Sequence, residues 1–205
     1  MWKDIEKPWQ VAFELGWESF KKGSIPIGAV LADEHMNIIS QGRNRLYESS
    51  TKNPKIAHAE TEALQNLDVS VFPNVYEYTL FTCMEPCPMC MGTFVMCNLR
   101  KLRVAARDSY CGAVHFCEDD SYISSKNIQV TFETGILETV QLTLQTYFEL
   151  NKRNGEMNRV TLLFEKDNPT AVRIAKLFYD NGYILKCLKN ATPFSEIFNQ
   201  IVVYN

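Results

Sequence analysis

Residues 75–107 read VYEYTLFTCMEPCPMCMGTFVMCNLRKLRVAAR. The opening VYEYTLFT is rich in aromatic and β-branched residues and reads as a strand, CPMCMGTFVMCN as a helix, and LRKLRVAAR as a second strand. Elements alternating in this way predict an α/β sandwich with helices on both faces of one sheet. The strand carrying Phe81 is then central and buried on both faces, so Phe81 reads as core rather than as a platform for a stacked ring.

Working outward towards the N-terminus, PWQVAFELGWESFKKG sets Trp9, Phe13, Trp17 and Phe20 at helical spacing, with Pro8 in the first turn and Gly23 as the stop. IPIGAVLAD and NIISQGRN are β-rich runs joined by Glu34-His35-Met36-Asn37, which predicts a hairpin. A polar loop from Arg45 to Pro54 leads to Ile56-Ala57-His58, and HAETEALQNL reads as a helix.

Towards the C-terminus, IQVTF reads as a strand and ILETVQLTLQTYFELNK as a long helix with Ile136, Val140, Leu144 and Phe148 at helical spacing. The main unit is placed at residues 1–152. In 153–205, the polar NKRNGEMNR precedes the apolar VTLLF, Asn168-Pro169 opens a helix that Gly182 closes, and YILKCL reads as a strand. The expectation is a small C-terminal α/β appendage, a β-α-β unit resting on the core, because so short a segment supplies little core of its own.

Composition narrows the class. A chain of 205 residues with 46% hydrophobic content can bury a core without staples. The start MWKDIEKPWQ carries charges where a secretory signal has an apolar run, and no stretch suits a membrane span, so a cytoplasmic protein without membrane contacts is expected. Seven cysteines, unevenly spaced, fit metal ligation and buried thiols better than a disulfide framework. A formal charge of −3 gives no broad attraction for polyanions.

The chemistry sits in His58-Ala59-Glu60 and Pro86-Cys87-Pro88-Met89-Cys90. Cysteines three apart on a helix share a face, so Cys87 and Cys90 can grip one ion beside a helix N-terminus, with His58 as the third ligand. Three ligands of this softness suit Zn²⁺ and leave a fourth tetrahedral position for water, which zinc acidifies to a pKa of about 7. Glu60 is then placed to move protons between that water, the ring nitrogen and departing ammonia. The competing reading is a closed structural site completed by Cys83, Cys97 or Cys111. His35, in a turn, and His115, in a loop, have no partner at ligand spacing and read as ordinary histidines.

H-x-E followed by P-C-x-x-C is the known signature of zinc nucleobase deaminases, and on it the chain resembles the cytidine deaminase superfamily from about Pro8 to Lys152. IPIGAVL, Gly42-Arg43-Asn44-Arg45 and ARDSYCGA are similar to the branch of tRNA adenosine deaminases and bacterial guanine deaminases. TFETGILETVQLTL leans to the former, MEPCPMCMG to the latter. The resemblance implies a three-layer α-β-α cytidine deaminase-like sandwich with one catalytic zinc per chain, assembled as a homodimer. It implies a substrate hydrogen bond from Asn44. Asn44, Ala59 and Asp108 are the candidate substrate contacts, Asp108 with an equal claim to capping the loop after its strand.

The resemblance also implies hydrolytic deamination, with a small purine base, nucleoside or nucleotide as the expected substrate. A tRNA adenosine deaminase is the alternative. Tyr110, where the tRNA enzymes carry lysine, the added C-terminal segment in place of a basic helix and the long loop between Asn44 and His58 weaken that alternative. A zinc-stabilised binding subunit without turnover is the alternative from another class, and retention of Glu60 argues against it. Phe198 and Tyr204 are read as structural in the appendage rather than as closing the pocket, and Lys186 and Lys189 as solvated charges.

Overall fold

A computed structural model describes residues 1–50 and 52–205; Thr51, inside the loop 45–54, lies outside the described residues. Five strands form one mixed sheet: β1 (Gly28–Ala32), β2 (Ile38–Arg43), β3 (Thr79–Met84), β4 (Lys101–Ala106) and β5 (Gln129–Phe132), in the order β2-β1-β3-β4-β5. β1 is antiparallel to both β2 and β3, whereas β3, β4 and β5 run parallel. The β1–β2 hairpin closes on Asp33, whose Oδ1 accepts from the backbone N–H groups of His35 and Asn37 at 2.9 and 2.8 Å. His35 therefore belongs to a turn, as its sequence context predicts.

Successive residues of each central strand face opposite layers. Val30, Ala32, Phe81, Cys83 and Ala105 join one hydrophobic cluster, and Ala29, Leu31, Leu80, Leu102 and Val104 the other. Helices α1 (Lys7–Lys21) and α6 (Ile136–Lys152) cover the first face; α2 (Ala59–Gln65) and α3 (Pro88–Met96) cover the second. This is the expected three-layer sandwich. Phe81 is fully buried, edge-on to Trp9 and beneath the Arg103 guanidinium, which is a core position. Two short helices, α4 (Phe116–Asp119) and α5 (Ser121–Ser124), occupy the β4–β5 connection, where His115 stacks edge-on with Phe116.

The C-terminal segment corrects the β-α-β expectation. It is wholly helical: α7 (Arg159–Asp167), α8 (Pro169–Asp180), α9 (Tyr183–Lys189) and α10 (Phe194–Tyr204). VTLLF starts a helix because Asn158 Oδ1 accepts from Thr161 N–H at 2.9 Å while Thr161 Oγ1 accepts from Asn158 N–H, a reciprocal cap. In α7 only Thr161 and Phe164 are buried, and in α9 only Ile184 and Cys187, a spacing of three rather than two. Short apolar runs do not reveal their period by composition, and here neighbouring helices decided it. Asn168 caps α8 as expected, accepting from Ala171 N–H at 3.0 Å.

These helices share the core of the first face: Ile174, Phe178, Phe194, Ile197, Phe198 and Ile201 lie in one cluster with Trp9, Phe13 and Leu144. Phe198 meets Trp2 edge-on, and Tyr204 meets Phe178, so both terminal aromatics are structural. No described helix is long and apolar enough to cross a membrane.

Two glycines set the spacing of the layers. A Cβ at Gly28 would lie 2.0 Å from Ala12 carbonyl oxygen of α1, and one at Gly42 would lie 2.3 Å from both Ala59 O and Ala63 N of α2. The obstacles are helix backbone, which cannot step aside. Gly42→Ala is expected to lower stability by about 3 kcal/mol, read as a drop in Tm of roughly 6–12 °C for a domain of this size.

Candidate active site

Helices α2 and α3 begin beside the C-terminal end of β3. His58 is the N-cap of α2, its backbone N–H donating to Thr61 Oγ1 at 3.2 Å, and Cys87 is the N-cap of α3, followed by Pro88 in the first turn. Cys90 lies one turn on, so both thiols face the same way. Glu62 fastens the start of α2 to the end of β2: its Oε2 accepts from Arg43 N–H at 2.7 Å, and its Oε1 pairs with Arg45 at 2.7 Å.

His58, Cys87 and Cys90 thereby offer three ligand atoms within 4.8 Å of one another. Nδ1 of His58 lies 3.7 Å from Cys87 Sγ and 3.5 Å from Cys90 Sγ, and the two sulfurs are 3.6 Å apart. Zn–S bonds of about 2.3 Å and Zn–N bonds of about 2.0–2.1 Å at tetrahedral angles require edges of about 3.8 and 3.6 Å. The donor set fits that ion. Among the described residues the cluster has three members: Cys83 is buried in the core of the opposite face and Cys111 sits in a loop beside Asp108.

The electrostatics are those of a ligand cluster. The hydrogen bond from Cys90, then the contact with His58, pulls the Cys87 thiol down to about 4, while the same bond and burial hold Cys90 up. Contact with Cys87 raises the imidazole's pKa. Glu60, 4% exposed, is pushed above the usual carboxylate range by burial. Thr82 Oγ1 donates to its Oε1 at 3.0 Å, and Cys90 Sγ lies 3.4 Å from its Oε2.

A cavity of about 260 Å³ opens on this cluster, lined by His58, Glu60 and Cys87 together with Asn44, Asp108 and Tyr110. Asn44 is held by its backbone, its N–H donating to Ile27 O at 3.0 Å, and its side-chain Oδ1 accepts from Leu46 N–H at 3.0 Å. Its amide nitrogen is left without a partner among the described residues. Asp108 does both things the sequence allowed. It lines the cavity, and its Oδ1 caps the following loop by accepting from Tyr110 and Cys111 N–H at 2.9 and 3.1 Å. The fully buried methyl of Ala59 belongs to the packing of α2 and does not line the cavity.

The remaining wall was not read from the sequence. It comprises Ile25, Ile27, Leu46, Met84, Glu85 and Cys111, then Gln145 and Glu149 from α6 and Val160 and Phe164 from α7. One signal was available: Gln141, Gln145 and Glu149 place polar groups on successive turns along one side of α6.

The sheet order and the clustered donors define a three-layer α/β/α protein with a His/Cys/Cys metal-binding centre at the start of two helices. The family model for the cytidine and deoxycytidylate deaminase zinc-binding region matches residues 3–106, and the chain belongs to that family. It is 32% identical over 167 residues to the tRNA-specific adenosine deaminase of Haemophilus influenzae, covering 77% of this chain and 90% of that one. The cytosine deaminase of Candida albicans is 28% identical over 109 residues, 53% of this chain and 71% of that one. Among solved structures, guanine deaminase from Nitrosomonas europaea superposes with a TM-score of 0.55 at 22% identity, covering 70% of this chain and 83% of the other, a likeness of fold.

Loss of a ligand separates the three-donor site from a closed one. His58→Ala and Cys87→Ala are expected to lose bound zinc, while Cys83→Ala, Cys97→Ala and Cys111→Ala retain one equivalent, as measured by elemental analysis after dialysis. Loss of zinc on replacing any one of the last three contradicts the assignment.

Proposed function

We propose that the protein hydrolytically deaminates a small amino-substituted nucleobase, nucleoside or nucleotide, most favourably a purine. The observation that carries this reading is Glu60, a buried carboxylate beside three soft ligand atoms and on the wall of the same cavity. A purely structural metal site has no use for such a group.

His58, Cys87 and Cys90 would hold one zinc ion. When bound, that ion supplies Lewis acidity and brings the pKa of a coordinated water to about 7. In the net reaction water adds at the carbon bearing the amino group, the C–N bond breaks, a carbonyl remains and ammonia leaves. Glu60 takes one proton from the water and delivers it to the adjacent ring nitrogen, then takes the second from the added hydroxyl and delivers it to the departing amine. Thr82 steadies one carboxylate oxygen. The free amide nitrogen of Asn44 and the carboxylate of Asp108 would orient the ring.

The small-substrate preference is supported by the enclosure of the cavity, where Val160 and Phe164 of α7 add an apolar wall. The purine preference is supported by the relative from Haemophilus influenzae, which is named for adenosine. That same name, with coverage of 90% of the relative, supports a second reading, deamination of adenosine in tRNA. It would require the base to be flipped into the pocket and a positive surface for the backbone. Self-association into a homodimer and a cytoplasmic location are part of the proposal.

The test is ammonia release by zinc-loaded protein from bases, nucleosides, nucleotides and an adenosine-containing anticodon stem-loop. Glu60→Ala is expected to retain zinc and lose about 10²–10⁴-fold in kcat. Turnover of a small purine supports the first reading, and turnover of the stem-loop alone supports the second. A zinc-loaded protein inert on every substrate points to a binding subunit.

A further inference from the structure

Helix α6 buries an unusual series of polar side chains, and most are accounted for. Thr139 Oγ1 donates to Gly135 O at 3.1 Å, Gln141 Nε2 to Pro26 O at 3.0 Å, and Thr143 Oγ1 to Ala171 O at 3.2 Å. Gln145 is the exception that faces the cavity. It is 6% exposed, its Oε1 has no hydrogen-bond partner, and its Nε2 makes no hydrogen bond to a described residue. Gln141 Oε1 and Thr146 Oγ1 also lack partners, but neither residue lines the cavity. An amide buried without partners costs free energy that a hydrophobic side chain of the same volume would not. Such a cost is kept where a ligand completes the bonds.

One turn further along the same face stands Glu149, whose Oε2 accepts from Asn158 Nδ2 at 2.7 Å and which also lines the cavity. Its wall carries four carboxylic side chains, Glu60, Glu85, Asp108 and Glu149, and His58 as the one basic side chain; no lysine or arginine is among the described residues of the wall. Arg153 reaches Glu149 Oε2 only at 3.6 Å, outside the lining.

We propose that Gln145, supported by Glu149, is a specificity-determining residue that reads the ring edge of a phosphate-free amino-heterocycle. A primary amide offers one acceptor and one donor side by side, which complements the adjacent N–H and N or C=O groups of a ring amidine or lactam. The acidic wall admits a neutral ring and repels a phosphate. This narrows the small-substrate reading above, on which it rests, from nucleotides to bases and nucleosides.

The test uses the zinc-loaded full chain and a panel of free bases, their nucleosides and their 5′-monophosphates. Gln145→Met removes both amide functions at similar volume. It is expected to raise KM for the preferred compound about tenfold, the equivalent of one lost hydrogen bond, with kcat changed by less than about threefold. Because it also removes an unpartnered buried amide, its Tm should equal or exceed the wild type's, a result that a merely structural glutamine would not give. Glu149→Gln should narrow the KM gap between the preferred compound and its monophosphate. Calorimetric binding of the same panel to Glu60→Ala and to the Glu60→Ala/Gln145→Met double variant separates two failures. Binding that Gln145→Met weakens, without ammonia release by the wild type, sinks the catalytic reading and keeps this one. Unchanged KM and affinity in Gln145→Met, or a wild-type preference for the monophosphates, overturns it.

Discussion

Three donor atoms within 4.8 Å of one another start two helices. His58 caps α2 and Cys87 caps α3, so the register of both helices on the sheet is tied to whether an imidazole nitrogen and two sulfurs reach the corners of one tetrahedron. Much nearby detail serves that requirement. The bare surface of Gly42 lets α2 lie directly on β2, Glu62 locks the two together through Arg43 and Arg45, and Thr61 fixes the backbone at His58. Displacement of α2 would separate the ligands and would also carry away Glu60, which sits in the first turn of the same helix.

The opposite face of the sheet makes a different contribution. There α6 bears the aromatic cluster through Tyr147 and Phe148 and, on another side, presents Gln145 and Glu149 to the cavity. α7 stands beyond it and is fastened to the cavity rim, where Ser109 donates to Asp167 and Arg159 stacks over Tyr110. The C-terminal helices are therefore structural in their α8–α10 part, where Phe178, Phe194 and Phe198 fill the core, and contribute to the pocket in α7.

Legibility in the sequence followed the locality of the signal. His58, Glu60, Cys87 and Cys90 were readable because ligand geometry on a helix fixes spacing along the chain. The strands and long helices were readable because burial imposes a period on many residues at once. VTLLF and YILKCL were misread because mainly apolar runs of five or six residues fit either period, and their helical form depends on Asn158 and Gly182 at their starts and on the helices against which they pack. Gln145, Val160 and Phe164 were missed because nothing local marks a residue that meets the cavity only after α6 and α7 have folded over it. Ala59 illustrates the converse: adjacency in sequence to two site residues did not bring its methyl to the cavity.

The match to the family model of the zinc-binding region ends at residue 106, and the cavity continues past it. His58, Glu60, Cys87 and Cys90 lie within that region, whereas Asp108, Tyr110, Gln145, Glu149, Val160 and Phe164 lie after it. Both stretches contribute wall to the same cavity. Grafting residues 107–205 onto another member of the family would therefore exchange part of the cavity wall while leaving His58, Cys87 and Cys90 in place.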